Sequence, residues 1–553
     1  MKLQTLRPWQ SECLVKARDW FIEREKDLFL INAAPGAGKT IAACAIAASL
    51  IDDGLVDRVI VVAPRSEVVS QWAADFERIT GRFMDKITPA DSTLASLGHD
   101  LCVTWSALQG LEETWQRVCS DESVLLICDE HHHAAAERSW GLSADSGLAS
   151  ARFTLLLTGT PLRSDGEASV WLDYDKFGAL SMADAQSFTL SYGDAVELGY
   201  CRPATFHRHE GNFKVDAGDG HLFDVNSKNA PELSPELKRI SGLERALDFY
   251  KLACTPQYES DSQSPLLSGF QASMLQFAAS KLDEIREDLP DAGGLVIAPN
   301  IEMAKYMASL IEMIEGEPAV VVHSQQGGAG SKIKAFRRGS ARWLVSVAMV
   351  SEGVDISRLR LLVYLPYATT ELAFRQAVGR VVRSAGNDDF SRAYIVMPCL
   401  EKFDAFARRI EEEIPPSASP EQSRRASKTC PVCESECERS ATECGFCGYE
   451  FPILPSRTKG CGECGAPNPL SADACCECGA SFLSTFQISL REALRDGAIV
   501  RGIEVSEEDV REGEAIAGVV RREALRSGDE RIVELIKKLP EESWGRLKAI
   551  ING

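Results

Sequence analysis

The chain has 553 residues, of which 45% are hydrophobic and 25% charged, and these proportions suit a folded protein of about three to five domains. The formal net charge of −21 argues against a protein that coats nucleic acid by bulk attraction, although a local basic track is compatible with it. No apolar run approaches the roughly 18–20 residues that span a bilayer, and the N-terminus has no apolar signal-peptide core. We therefore expect a cytoplasmic protein with no membrane partner.

Two stretches of the chain alternate short apolar runs with helical patterns. In the first half, the predicted strands are Leu28–Asn32, Arg58–Ala63, Leu101–Thr104, Val124–Asp129 and Thr154–Thr158. In the second half, they are Gly294–Ala298, Ala319–His323, Arg342–Val347, Leu361–Leu365 and Arg392–Met397. Apolar, β-branched strands that alternate with helices predict parallel sheets covered on both faces. The expected fold class is therefore α/β, with two parallel-sheet domains in tandem.

Changes in composition predict the domain boundaries. The predicted segments are a first α/β domain at 1–205, a polar connector at 206–265, a second α/β domain at 266–412, a linker rich in proline and serine at 413–428, a cysteine-rich module at 429–483 and a tail at 484–553. Charged residues at helical spacing predict that the tail is helical.

The stretch Ala33–Thr40 lies between a predicted strand and a predicted helix, which is the context of a phosphate-binding loop. Backbone N–H groups at the start of such a helix point at phosphate oxygens. We expect Lys39 to reach the β- and γ-phosphates of ATP and Thr40 to ligate Mg²⁺. The remaining residues predicted to bind the nucleotide here are Pro35, Gly36, Ala37 and Gly38.

The predicted strand at Val124–Asp129 ends in two adjacent acids. Asp129 is expected to hold Mg²⁺, and Glu130 is expected to orient and deprotonate the attacking water. A zinc site at His131–His133 is disfavoured, because neighbouring residues do not easily converge on one ion; we expect His132 to couple the two domains. The turn Thr158–Pro161 follows the next strand.

A helical pattern in the second half places Gln376, Arg380 and Arg383 at spacings of four and three residues, so that they share one face. Such a face can reach across a cleft, where an arginine stabilises charge on a transferring phosphoryl group. We predict that all three take part in catalysis with Lys39 and Glu130.

Ten of the 18 cysteines lie between Cys430 and Cys478. They form two units of paired Cys-x₂-Cys knuckles that repeat at an offset of 31 residues. Four thiolates at this spacing suit a tetrahedral Zn²⁺. The predicted ligands are Cys430, Cys433, Cys444 and Cys447 for a first zinc ion, and Cys461, Cys464, Cys475 and Cys478 for a second.

Disulfides and iron–sulfur ligation are the alternatives for these cysteines, and a cytosolic chain disfavours the first. Cys437 and Cys476 are left over, although Cys476 could replace Cys475. The two predicted zinc ribbons are expected either to contact nucleic acid or a protein partner, or to give structural support alone.

The ordered motifs resemble those of superfamily 2 helicases and translocases of the DEAD/DEAH type over residues 1 to about 400. Those motifs are Arg7–Gln10, the phosphate loop, Ala63–Arg65, Val103–Trp105, Asp129–His132, Thr158–Thr160, Ser351–Asp355 and Gln376–Arg383. The resemblance implies two RecA-like domains with ATP and Mg²⁺ in the cleft between them. It implies that Arg7, Gln10, Gly353 and Asp355 contact the nucleotide, with Gln10 on the adenine edge. It also implies that Pro64, Arg65 and Thr104 lie near the nucleic-acid backbone.

The expected function is nucleic-acid-dependent ATP hydrolysis with translocation, with DNA as the expected polymer. With the cysteine module behind the motor, the layout is similar to that of RadD-type DNA repair helicases. Two alternatives stay open: the same motor acting on RNA, and a zinc-ribbon docking protein that uses ATP as a switch.

Overall fold

The computed structural model describes most of the first 415 residues and short segments beyond them. The described residues are 6–64, 66–87, 100–108, 112–131, 146–159, 171–172, 182–216, 222–227, 231, 233, 246–259, 264–323, 328–347, 356–367, 369–384, 389, 391–415, 427–429, 435–438, 445–447, 458–460, 467–469, 476–477 and 485–489. Among them, none of the helices combines the length and the apolarity needed to cross a bilayer.

The first domain is a seven-stranded parallel sheet with the strand order β3-β4-β2-β5-β6-β1-β7. Its strands are β1 Leu28–Ala33, β2 Arg58–Ala63, β3 Met84–Ile87, β4 Asp100–Thr104, β5 Val124–Cys128, β6 Phe153–Thr158 and β7 Ser187–Leu190. Its helices are α1 Pro8–Arg18, a π-helical turn Asp19–Glu23, α2 Lys39–Asp52, α3 Ser66–Thr80, α4 Trp105–Leu108, α5 Glu112–Asp121, a 3-10 turn Asp184–Gln186 and α6 Tyr192–Glu197. The central strands β2 and β5 are buried along their whole length, as strands covered by helices on both faces must be.

The chain then forms a second set of strands. They are β8 Ala204–His209, β9 Asn212–Asp216, β10 Leu222–Asn226, β11 Gly293–Ile297, β12 Val320–Val322, β13 Trp343–Ser346, β14 Leu359–Tyr364 and β15 Ala393–Pro398. Six of them make a parallel sheet in the order β12-β13-β11-β14-β15-β8. The helices of this region are α7 Phe249–Ala253, α8 Phe270–Asp288, α9 Ile301–Glu315, α10 Ala329–Arg338, α11 Glu371–Val381 and α12 Glu401–Glu413. All ten predicted strands are therefore present, with ends that differ by at most two residues.

The boundary predicted at residue 205 falls inside a strand of the second domain. β8 pairs in parallel with β15, from Ala204 opposite Ala393 to His209 opposite Pro398. The polar segment after residue 205 therefore begins as the edge strand of the second sheet and not as a connector. An edge strand buries little of one side, and β8 carries His207, Arg208 and His209, so its sequence lacks the apolar run of an inner strand.

A second difference lies in the tail, which the sequence predicts to be helical from residue 484. Residues Thr485–Ser489 form a strand, β20, which pairs in parallel with β9 in a three-stranded sheet of order β10-β9-β20. Phe486 and Ile488 are buried while Thr485 and Gln487 are exposed, which is the two-residue period of a strand. The rest of the tail, 490–553, lies outside the described residues.

Two short hairpins occur in the cysteine-rich module. One pairs β16 Ser427–Thr429 with β17 Glu436–Glu438, and the other pairs β18 Thr458–Gly460 with β19 Pro467–Pro469. The hairpins repeat at the offset of 31 residues that separates the two cysteine units. Of the eight predicted zinc ligands, only Cys447 is among the described residues, where it is exposed. Within those residues, no group of three or more His, Cys, Asp or Glu is arranged to hold a metal ion.

Candidate nucleotide site between the two domains

The predicted phosphate loop joins β1 to α2, as expected. Gly36 and Gly38 have φ angles of +84° and +101°, in the left-handed region that favours glycine. The first turn of α2 holds no acidic residue, so its N–H groups and the positive end of its dipole are available to an anion. The Lys39 Nζ donates to the carbonyl oxygen of Ala33 at 2.9 Å. A Cβ atom at Gly159, in the Thr-Gly-Thr turn, would lie 3.2 Å from that Nζ, so this turn adjoins the loop.

Helix α1 supports the phosphate loop from outside. Gln10 is buried, and its Nε2 donates to the Gly38 carbonyl at 3.0 Å while its Oε1 accepts the backbone N–H of Arg7 at 2.9 Å. The Arg7 guanidinium donates to the Ala37 carbonyl at 2.9 Å and lies over the ring of Tyr200, 4.5 Å from its centroid. Both side chains therefore hold the loop's backbone, and a contact of Gln10 with adenine stays a prediction.

The two predicted catalytic acids follow β5. Asp129 is buried, and its Oδ2 accepts a hydrogen bond from the Trp72 Nε1 at 2.8 Å. Burial, and then the neighbouring Glu130 charge, raise the pKa of Asp129 to about 6, although Trp72 and Lys39 act in the opposite direction. The raised pKa means that ionising the buried Asp129 carboxyl costs free energy. A bound divalent cation would offset this cost, so the carboxylate suits Mg²⁺. Sequence reasoning missed Trp72, which lies on α3, 57 residues before its partner.

Glu130 has a φ of +48°, one of three non-glycine residues with positive φ in the described part of the chain. Its backbone N–H donates to the Asp129 Oδ1 at 3.1 Å. Left-handed backbone at a non-glycine residue costs of order 1–3 kcal/mol and is typical of functional sites. The strain is therefore found at the residue that the sequence assigns to water activation.

The predicted arginine face lies on α11 and just beyond it, where it meets the phosphate loop. A Cβ atom at Gly379 would lie 2.6 Å from the Pro35 Cβ, and a Cβ atom at Gly36 would lie 2.6 Å from the Arg383 Cγ. Arg380 is buried, and Gln376 lies one turn before it on the same helix. The Arg383 backbone forms an isolated bridge with Cys201.

The buried thiol of Cys201 lies against the phosphate loop. Burial raises the pKa of this thiol to about 12, and Lys39, Arg383, Arg7 and Arg202 all oppose that rise. The Cys201 Sγ donates to the Pro35 carbonyl at 3.3 Å. Lys39, Arg7 and Arg383 place positive charge around the phosphate loop, as a polyphosphate site requires.

A cavity of about 650 Å³ also opens between the domains. Its walls include Pro35 and Gly159 from the first domain and Glu371, Arg375 and Glu413 from the second. The domains therefore meet closely at the two glycine contacts while leaving space elsewhere along their interface.

Several predicted site residues lie outside the described residues. They are Arg65, His132, His133, Thr160, Pro161, Gly353 and Asp355. Residues 356–367 are described, so the structure gives the chain's course directly after the fifth motif.

Two protein families match this chain. Residues 3–163 match the family described as type III restriction enzyme, res subunit, and residues 279–385 match the helicase conserved C-terminal domain. The first match contains the phosphate loop and the acid pair, and the second contains Gln376, Arg380 and Arg383. With two parallel-sheet domains in tandem, these matches support a superfamily 2 helicase over the matched residues.

The relatives of known sequence are less informative about activity. An uncharacterized protein of Mycobacterium tuberculosis, Rv2917, is 32% identical over 384 residues, which are 68% of this chain and 59% of the relative. The chain therefore spans about 59% of the length of that relative.

Similarity to solved structures is weaker still. The ATP-dependent Type ISP restriction-modification enzyme LlaBIII bound to DNA is 16% identical, with a TM-score of 0.44 over 72% of this chain and 28% of that one. Dbp5 of S. cerevisiae, bound to RNA and ADP BeF3, is 12% identical, with a TM-score of 0.45 over 75% of this chain and 88% of that one.

Proposed function

We propose that this chain is a nucleic-acid-dependent ATPase that translocates along DNA. The observation that carries the proposal is the contact of the arginine helix with the phosphate loop, at Gly379–Pro35 and Arg383–Gly36. That contact brings basic groups of the second domain beside a loop whose own lysine and backbone suit a polyphosphate. An ATP molecule held there would touch both domains, so its hydrolysis can change their relative position.

Each residue then has a role in hydrolysis. Lys39 exchanges the Ala33 carbonyl for the β- and γ-phosphates, and Thr40 and Asp129 hold Mg²⁺. Held by these two residues, Mg²⁺ would supply positive charge to offset the charge that develops on the phosphate oxygens. Glu130 accepts the proton of the attacking water. Arg380 and Arg383 stabilise the charge on the transferring group, and Gln376 orients the water and the γ-phosphate.

DNA is the proposed polymer because the family that matches the first domain is named for a restriction enzyme subunit, and restriction enzymes act on DNA. The layout of the motifs, with a cysteine module behind the motor, favours a role in DNA repair or a related DNA-processing pathway. RNA as the polymer and an ATP-dependent docking switch are the alternatives that the test below separates.

The cysteine-rich module is proposed to hold two Zn²⁺ ions, one on each unit of four cysteines. Two observations support this: the Cys-x₂-Cys spacing, and the repetition of a short hairpin at the same offset of 31 residues. Modules this small have little core of their own, so bound zinc would supply most of their stability. Their proposed partners are nucleic acid or another protein.

The test is ATP hydrolysis with no polymer, single-stranded DNA, duplex DNA and RNA. We expect DNA to stimulate the rate, and we expect Glu130→Gln and Arg380→Ala to abolish that stimulation. Glu113→Gln, which changes an exposed acid of the same domain, is the matched control and should behave as wild type. Stimulation by RNA alone would select the RNA motor, and no stimulation by any polymer would select the switch.

A further inference from the structure

The segment that joins the two domains contains a fully buried arginine. Residues Tyr200–Pro203 run from the end of the first domain to the start of β8, and Arg202 within them is 1% exposed. A guanidinium stays protonated in a protein, so burying one is tolerated only where partners satisfy its charge and its five donors.

The counter-charge of Arg202 is Asp389. The Nε and one terminal nitrogen of Arg202 donate to the Asp389 Oδ2, at 2.8 and 2.5 Å. The same oxygen accepts a longer hydrogen bond of 3.3 Å from Arg360. The other carboxylate oxygen accepts the backbone N–H and the hydroxyl of Ser391, at 3.2 and 2.5 Å. Asp389 is therefore held in place from both sides.

The remaining donors of Arg202 reach the backbone of the second domain. One terminal nitrogen donates to the carbonyls of Val381 and Leu359 at 2.9 and 3.2 Å, and the other donates to Ser357 at 2.9 Å. The Arg202 backbone N–H donates to the Val382 carbonyl at 2.6 Å. One side chain thus binds the end of α11, the start of β14 and the turn that precedes β14.

These positions lie beside functional segments. Val381 and Val382 directly precede Arg383, and Ser357 follows the fifth motif by two residues. On the other side of the crossing, Tyr200 and Cys201 contact Arg7 and the phosphate loop. The crossing therefore connects the nucleotide side of the first domain to the end of the arginine helix and to the turn at Ser357.

We propose that Arg202, with Asp389 as its counter-charge, is a positioning residue that fixes the end of the arginine helix relative to the domain crossing and so couples polymer binding to ATP hydrolysis. The proposal rests on the proposed function. A guanidinium has three nitrogens, which here reach a carboxylate and three carbonyls, whereas a lysine has one nitrogen and keeps only part of this set. Arg202 binds the carbonyls of Val381 and Val382, which directly precede Arg383, so it acts through Arg383.

The experiment compares the full-length wild type with Arg202→Lys and Asp389→Asn, measuring kcat and KM for ATP with and without single-stranded DNA. Arg58→Lys is the matched control: Arg58 is also buried and makes a two-bond pair, with Glu122 at 2.7 and 2.8 Å, but at the opposite end of β2 from the loop. We expect DNA-stimulated kcat to fall about tenfold in both test variants, a size typical of coupling between sites. The KM for ATP and the unstimulated rate should stay within about twofold of wild type.

Three outcomes would overturn the coupling role. They are full DNA stimulation in both variants, a loss of kcat matched by a rise in the KM for ATP, or an equal loss in Arg58→Lys. If Arg202→Lys does not fold, Asp389→Asn decides, because it keeps the side chain's shape; failure of both to fold would show a structural role only. A wild type that no polymer stimulates would instead contradict the proposed function.

Discussion

Gly379 of α11 lies directly against Pro35 of the phosphate loop, so closely that a methyl group at position 379 would come within 2.6 Å of the proline Cβ. Real Cβ contacts are longer than this, so the residue that meets Pro35 must lack a side chain. The approach brings Arg383 from the other domain against Gly36 of the loop. The arginine helix and the phosphate loop can therefore come into contact only because residue 379 has no Cβ atom.

Gly379→Ala should push the arginine helix away from the loop. Overpacking of this kind costs about 1–3 kcal/mol, and a misplacement of about 1 Å in a catalytic group can cost about a hundredfold in rate. We expect kcat for ATP hydrolysis to fall at least about tenfold. Gly330→Ala is the control, since a Cβ atom there meets nothing within 4 Å. Equal activity in the two variants would mean that the contact at Gly379 is not needed for catalysis.

Trp72→Phe should weaken catalysis through Asp129. The substitution removes the Nε1 donor that favours the ionised carboxylate, and hydrogen bonds to charged groups contribute about 1.5–3 kcal/mol. We expect the Mg²⁺ concentration needed for half-maximal ATPase activity to rise about tenfold. Trp115→Phe is matched to it, because Trp115 is equally buried in the first domain and its Nε1 has no hydrogen-bond partner. A Mg²⁺ requirement unchanged by Trp72→Phe would contradict the role assigned to its indole.

The raised pKa of Asp129 predicts a pH dependence of stability without Mg²⁺ or nucleotide. The native carboxyl titrates near pH 6, against an ordinary value of 3.8 in the unfolded chain. Between these two pKa values the native state keeps a proton that the unfolded state has released. The protonated carboxyl therefore stabilises the native state fully below the unfolded pKa, and this stabilisation is lost as pH rises through the native pKa. Asp129→Asn has no such titration, so its free energy of unfolding should increase relative to wild type across this window. Urea unfolding of both proteins checks this, and parallel pH profiles would refute it.

Phe486→Ala should destabilise the second domain. The ring of Phe486 is 4% exposed and lies 5.7 and 5.5 Å from the rings of Phe213 and Phe270. Removing a buried phenylalanine costs about 3–5 kcal/mol. Gln487→Ala, on the exposed side of the same strand, should cost little. Thermal unfolding of the two variants checks this. Equally small losses of stability in both would mean that the strand is only loosely attached to the second domain.

Metal content tests the cysteine module independently of activity. We expect about two zinc ions per chain, and about one in Cys433→Ser and in Cys464→Ser, because each unit of four thiolates binds one ion. Emission spectroscopy on the purified chain gives the count. Iron in place of zinc would support the iron–sulfur alternative. Absence of both metals would contradict the zinc-ribbon interpretation.

Nine of the ten predicted strands are inner strands of their sheets, where burial on both faces forces apolar runs such as the one in Arg58–Ala63. The tenth, β12, is an edge strand that is still apolar, Val320–Val322. The phosphate loop and the arginine helix could be predicted for a related reason: their chemistry requires fixed residue types at fixed local spacings. Three features depend on neighbours distant in sequence and left no such local pattern. They are the edge strand β8, the returning strand β20 and the hydrogen bond between Trp72 and Asp129.

Arg202 shows the same limit. In the sequence it is one arginine among 60 basic residues, followed by a proline. Its importance comes from Asp389 and from carbonyl groups more than 150 positions further along the chain. Backbone carbonyls carry no residue identity, so no motif could reveal these partners.

The strand β20 gives the cysteine-rich module two points of attachment. The chain leaves the second domain after α12, and it returns there when Thr485–Ser489 pairs with β9 and the Gln487 carbonyl accepts a hydrogen bond from Gln257. A protease that cuts once between residues 416 and 484 would therefore leave two pieces that travel together until the protein is denatured. A partner bound by the module would therefore move together with the second domain.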